Sequence, residues 1–250
     1  MSTRPCLLTA LGLTAVSLAS TAHADLPDLV SAQDLAQVAA EVSGVEAKRN
    51  LDRITLSHRM RASDQFEQAT QHVLNELESY GLDEVGRVEY AADGETMYGT
   101  QKSRLDWHVE FAELWELAGP DGERLRRLAN WEAVPLSLAQ DSLSGEAVTT
   151  LVDIGAGTAD GDYEGKNVRG KLVLTSSQPG AVVERAVGEL GAIGIVSYAP
   201  NQRSAWWQED DRLVRWGHLS SFPATKSFGF MISLGEARKL IERMEGGDQI

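Results

Sequence analysis

The stretch from Val148 to Tyr198 most constrains what this chain can fold into. Lys171 to Thr175 (KLVLT) is a short apolar run bounded by Gly170 and Ser176, and Ala192 to Tyr198 (AIGIVSY) is another, bounded by Gly191 and Pro200. Runs of this length, rich in β-branched residues and set between breakers, read as buried strands. Between them Val182, Ala186 and Leu190 fall on an i, i+4, i+8 row beside Val183 and Val187, opposite Glu184, Arg185, Gly188 and Glu189. That spacing predicts an amphipathic helix. Pro179 suits its first turn, Ser177 is the expected cap, and Gly191 suits a left-handed terminating residue. Strand, helix and strand within about 30 residues predict two parallel strands with a right-handed crossover. A further strand followed by a long polar loop is expected upstream, from Val148 to Gly170.

The first 24 residues read as a secretory signal. Arg4 supplies a positive start, Cys6 to Ser20 is an apolar run, and Ala22-His23-Ala24 is a small-x-small cleavage site before Asp25. The run is too short to span a bilayer, and no later stretch reaches about 18 apolar residues. The expectation is an exported protein, periplasmic or extracellular, with no membrane contact after cleavage. Cys6 is the only cysteine and leaves with the signal, so packing must stabilise the remainder without disulfides or thiolate metal sites. Loss of Arg4 leaves 22 basic residues from 23 against 37 acidic, a net charge of -15. So acidic a surface disfavours nucleic acid as a partner.

Along the chain, Asp25 to Asn50 carries Leu35, Val38, Ala39 and Val42 at helical spacing. Ser63 to Tyr80 is a firmer helix: Phe66, Ala69, Val73, Leu77 and Tyr80 form one stripe, Asp64 with Glu67 resemble a capping box, and Gly81 is the stop. Val85 to Ala91 and Asp106 to Leu114 alternate as strands do, with Trp107, Val109 and Phe111 on one face of the second and His108 and Glu110 on the other. Gly119 to Glu123 reads as a turn, and Gln140 to Glu146 as a domain boundary. A strand at Phe228 to Ile232 leads into a last helix with Ser233 and Glu236 as a capping box and Ala237, Leu240, Ile241 and Met244 as its apolar face. Asp248-Gln249-Ile250 resembles the opening of another strand.

The chemistry-bearing patterns are sparse. Gly155-Ala156-Gly157 follows a strand, but Gly161 lies one residue too far for a dinucleotide fingerprint and no helical periodicity follows. Asp160, Asp162, Glu164 and Gly165 imitate the front of a calcium loop, yet Lys171 stands where a bidentate glutamate is required. Among the four histidines beyond the signal, His58, His72, His108 and His218, only His72 with Glu76 and His108 with Glu110 are locally paired, and each pair reads as an ordinary solvated side. No GxSxG elbow, Ser-x-x-Lys pair or cysteine nucleophile is present. The most unusual local feature is aromatic and cationic: Trp206, Trp207, Arg212, Arg215 and Trp216. Flat rings and forked guanidiniums make good walls for peptide or carboxylate recognition, and they serve equally to pin an irregular segment to a core. Both readings stand.

Leu151-Val152-Asp153-Ile154-Gly155, Asp162-Tyr163-x-Gly165, Val168-x-Gly170-Lys171-Leu172-Val173-Leu174 and the Ala186-Val187-x-x-x-Gly191-Ala192-x-Gly194-Ile195 junction together resemble the protease-associated domain. The flanks, with Leu77-x-x-Tyr80-Gly81-Leu82 before a strand and Val214-Arg215-Trp216-Gly217 beyond, look like the front half of secreted zinc aminopeptidases of the co-catalytic type, relatives of glutamate carboxypeptidase and the transferrin receptor ectodomain.

The resemblance implies an α/β (mixed α+β) fold: a protease-associated domain with a βαβ core, preceded by a helix-plus-strands segment. The implied organisation is a signal at 1–24, an N-terminal peptidase segment at 25–140, the protease-associated domain at 141–246, and the start of a following domain at 247–250. In that family the zinc ligands, a His-x-Asp, a Glu-Glu pair, a further Asp and a last His, lie after the inserted domain, and no His-x-Asp or Glu-Glu occurs beyond Ala24 in this chain. No catalytic or metal residue is therefore assigned, and no cofactor is expected in this chain. Zinc belongs to the expected peptidase domain, which with a peptide or protein substrate makes up the implied partners. A stand-alone secreted peptide-binding module is the alternative.

Overall fold

The computed structural model describes residues 30–119, 122–200 and 210–250. The signal reading, Trp206 with Trp207, and the tip of the Gly119–Glu123 turn lie outside them. The chain divides into a unit ending at Asn50 and a unit from Leu51 to Ile250.

A helix forms where the spacing near Leu35 predicts one, and a second follows it across the boundary at Asn50. Helix α1 (Ala32–Glu41) is capped by the Ser31 hydroxyl, which accepts the Asp34 N–H at 3.1 Å. The chain leaves helical conformation at Val42, and α2 (Gly44–Thr55) begins anew, with the Ser43 hydroxyl accepting the Glu46 N–H at 3.2 Å. A serine hydroxyl starts each of the two helices. Leu35, Val38, Val42 and Val45 are all exposed.

In the second unit α3 (Asp64–Ser79) starts one residue before the expected box. The Ser63 hydroxyl accepts the Phe66 N–H, while the Glu67 carboxylate leaves the helix end to pair with Arg87. At its other end Gly81 takes φ 78°, the Gly81 N–H reaches the Glu78 carbonyl at 2.9 Å and the Leu82 N–H reaches that of Leu77 at 3.3 Å. That pair of bonds is a Schellman end, which requires the left-handed residue the sequence supplies.

Two expected strands are corrected. Val85 to Ala91 makes no ladder, and its Val88 and Tyr90 are exposed, with the Tyr90 ring edge-on to Tyr98. Alternation there meets no sheet face able to bury it. From Asp106 to Leu114 only the last two residues enter a strand. Trp107 turns inward, its indole N–H donating to the Ser142 carbonyl at 3.0 Å, whereas Phe111 is exposed. The small hairpin of β1 (Met97–Tyr98) and β2 (Gln101–Lys102) and the larger antiparallel pair of β3 (Glu113–Leu117) and β4 (Arg124–Asn130) fill this region. Strand β4, written Arg-Leu-Arg-Arg-Leu-Ala-Asn, escapes a sequence reading because its arginines mask the period. Cross-strand carboxylates answer those charges: Arg127 and Arg124 face Glu113, and Arg126 faces Glu116.

The centre is a four-stranded parallel sheet in the order β5 (Leu151–Asp153), β6 (Leu172–Thr175), β7 (Gly194–Ser197), β8 (Gly229–Met231). Val173 pairs with Ile195, and Leu174 with Val196. These four residues are all but fully buried, which is why the strands read as continuous apolar runs rather than alternating ones. On one face Val173, Ile195 and Ile154 pack against Val182, Val183 and Ala186 of helix α4 (Pro179–Val183) and its π-helical continuation (Glu184–Glu189). On the other, Leu174 and Val196 meet Ala237 and Leu240 of α5 (Leu234–Glu245), joined by Leu114 and Leu128 of the β3–β4 hairpin. The sheet is the middle of three layers.

Ser177 does not cap α4. The residue before Pro179 is Gln178, with no side-chain cap, and Ser177 is engaged through its backbone: its N–H donates to the Thr175 hydroxyl and its carbonyl accepts from the Ser197 hydroxyl at 2.7 Å. For α5, the Ser233 hydroxyl caps the Glu236 N–H at 3.2 Å, but the Glu236 carboxylate pairs with Arg126 instead of closing the box. Residues of the polar stretch from Gln140 are knitted into the second unit. Gln140 is buried and donates its N–H to the Gly217 carbonyl at 2.8 Å, and the Leu143 N–H reaches Ser227 at 2.9 Å. Ile250 accepts the Leu151 N–H at 2.7 Å, against the outer edge of β5.

Candidate functional site

Parallel sheets present their carboxyl ends as a crevice, because the loops leaving the strands diverge there. Here that end is formed by Thr175, the last residue of β6, with Ser176, and by Tyr198 and Ala199 after β7. The segment 210–219 lies across it, held by backbone contacts. The Gln178 side-chain amide donates to the Trp216 carbonyl at 3.2 Å, and the Gly180 N–H, in the first turn of α4, donates to the His218 carbonyl at 3.0 Å. Gly217 is required at this closeness: a Cβ there would stand 2.2 Å from the Met231 sulfur.

Three of the five sequence-selected residues are described, and they do different things. The Arg212 guanidinium folds back on Asp210, at 3.0 and 2.8 Å to its two carboxylate oxygens, and this hydrogen bonding holds the Asp210 carboxyl down to about 2. Arg215 reaches the Pro200 carbonyl at 2.7 Å, tying the segment to the end of β7. Trp216 is 45% exposed and lies over the His218 ring with centroids 4.9 Å apart. The two guanidiniums are thus spent on the segment's own shape, and the open surface is the Trp216 and His218 platform. Gln178 joins it, its buried Oε1 lacking a hydrogen-bond partner. Neither Gln178 nor His218 stands out in the sequence, although a side chain directly before a helix-starting proline is placed to reach a crossing segment.

Behind the platform the groups are committed to holding loops. The Thr175 hydroxyl lies at 2.9 and 3.0 Å from the carbonyls of Gly155 and Ala156. Burial pushes the Tyr198 phenol up, the Asp153 charge adds to that, and a hydrogen bond with Ser176 opposes it. The carboxylates of the imitation calcium loop have structural duties: Asp162 accepts the N–H groups of Thr158 and Ala159 at 2.9 and 3.0 Å, and Asp160 pairs with Arg185. His72 stands 3.9 Å from Glu76, while His108 faces Asp106 at 3.4 Å. Among the described residues no group of three or more His, Cys, Asp or Glu is placed to hold a metal ion, and no helix is long and apolar enough to cross a membrane.

The arrangement supplies an aromatic platform and an exposed imidazole at the rim of a parallel sheet. Such a surface can stack a flat or apolar group and orient it through one or two hydrogen bonds. No protein-family model matches the chain, and no curated protein matches it significantly.

Proposed function

We propose that residues 141–246 are a protease-associated domain, and that the chain is the non-catalytic front portion of an exported zinc-dependent aminopeptidase or carboxypeptidase, in which this domain overhangs the active site and shapes peptide access. One observation carries the reading. The Gly-Lys-aliphatic and Gly-Ala-x-Gly-aliphatic runs fall at the entries of two adjacent parallel strands, β6 and β7, joined by a helix. Their glycines sit where only glycine fits: Gly170 and Gly191 take φ 71° and 78°, and a Cβ on Gly194 would stand 2.7 Å from the Phe228 ring. Export follows from the Arg4 to Ala24 signal pattern, with cleavage after Ala24.

The test is direct. Purified 250-residue chain is expected to bind no stoichiometric zinc and to leave aminoacyl-p-nitroanilides intact, and the reading frame beyond Ile250 is expected to encode a His-x-Asp. A stop codon within a few residues of Ile250 sinks the peptidase reading. A second reading, a stand-alone secreted peptide-binding module, is favoured by the exposed Trp216 and His218 platform. Under it, peptide would bind the chain alone and Trp216→Ala would abolish binding without changing the fold.

A further inference from the structure

We infer that a cavity between the start of α3 and the end of β4 is a binding site for a small alkylammonium group, such as the end of a lysine side chain or a free amine. The cavity, of about 120 Å³, lies away from the carboxyl end of the parallel sheet and does not depend on the peptidase reading. Three separate stretches build it: His58, Met60 and Ser63 to Gln65; Trp107 to Val109; and Trp131. The aromatic walls are fixed. Trp131 stands perpendicular to both His58, at 4.6 Å between centroids, and Trp107, at 5.7 Å. Trp107 is buried, and its indole N–H is already satisfied by Ser142, which leaves that ring only its π surface to offer.

The polar groups point to a cation. The Nδ1 atom of His58 is buried and has no hydrogen-bond partner. Burial, with Arg59 adjacent, pushes this imidazole's pKa down, which favours its uncharged form. An uncharged imidazole adds no positive charge to the lining. Asp64 is the only acidic residue of the lining, and no lysine or arginine lines the cavity. Aromatic faces, an uncharged imidazole and one carboxylate suit an ammonium ion, and the chain's net charge of -14 raises the local concentration of cations. An engineered cavity of about 150 Å³ admits benzene, so this volume suits an ammonium head with about three carbons. The amides at the start of α3 would favour an anion instead, and this is the competing occupant.

The test uses three isosteric probes on the intact, isotopically labelled chain: n-propylammonium, propionate and 1-propanol. The indole N–H resonances of Trp107 and Trp131 report occupancy. Propylammonium is expected to shift them saturably, with a dissociation constant on the order of 1 mM, and the other two probes are expected to leave them in place. Asp64→Asn is expected to weaken binding about fivefold to tenfold, and Trp131→Phe to keep the fold while weakening it further. Equal shifts with 1-propanol would reduce the site to an apolar hole, shifts with propionate would make it an anion site, and no shift with propylammonium would remove it. Each of these outcomes overturns the proposal.

Discussion

The guanidinium of Arg61 pairs with the carboxylate of Asp141, a residue 80 positions away that holds a left-handed backbone at φ 64°. Arg61 also donates to the Leu105 carbonyl at 2.7 Å, while the Ser221 hydroxyl donates to Asp141 at 2.9 Å. Four distant stretches of the second unit therefore meet at one ion pair, whose carboxylate side chain is 9% exposed.

Breaking this pair from one side should cost about 3 kcal/mol or more, because the remaining charge is left largely buried and unpaired. Arg61→Ala and Asp141→Asn are each expected to lower the urea midpoint, and the double variant should lose less than the sum of the two. A double-mutant cycle by urea denaturation checks this; strict additivity would show that the residues act independently.

Glu116 ties the β3–β4 hairpin to α5. Burial pushes its pKa up, but hydrogen bonds from Arg243 at 2.7 Å and Arg126 at 3.1 Å outweigh that and leave the carboxyl below its ordinary value. A carboxyl depressed by folding contributes stability that is complete above its unfolded value, about 4.3, and is lost as pH falls through the folded value. The midpoint of the native chain should drop steeply below about pH 4.5. Glu116→Gln should start lower at neutral pH and show a shallower acid slope, measured by denaturation across pH.

His58 titrates in the opposite sense of charge but the same direction of pH. Its pKa is lowered by burial and by Arg59, so the unfolded chain takes up the proton first. Its contribution is unchanged above about pH 6.5 and stability is lost as pH falls below that value. Thermal denaturation between about pH 7 and pH 5.5 should show the loss, and His58→Phe, which keeps the contact with Trp131, should flatten it. An unchanged slope in that variant would place the titration elsewhere.

Gly194 opens β7 beneath the Phe228 ring, and a Cβ there would stand 2.7 Å from it and 3.1 Å from a Leu172 methyl. Gly194→Ala is expected to destabilise the chain by about 1–3 kcal/mol through overpacking. Phe228→Leu in the same chain should recover part of the loss, which chemical denaturation of the single and double variants will read.

The central unit was legible in the sequence because its signals are local. Lys171 to Thr175 and Ala192 to Tyr198 are apolar on both alternations, Val182 and Ala186 repeat at helical spacing, and Gly81, Gly170 and Gly191 stand at positive φ where a helix or loop must turn. Each depends on residues within a few positions of one another. What lay between distant residues was not legible. Val85 to Ala91 alternates as well as any strand, but no neighbouring strand offers it a face. Strand β4 exists because Glu113 and Glu116 face its arginines, and the Arg-rich run carries no trace of those partners. Among the five aromatic and cationic residues chosen for recognition, Arg212 and Arg215 are engaged by Asp210 and the Pro200 carbonyl, while the platform includes Gln178 and His218, which no pattern marks. Short-range sterics and hydrophobic period are written in the order of residues. Charge pairing, cavity shape and the availability of a side chain arise only when segments far apart in the chain are brought together.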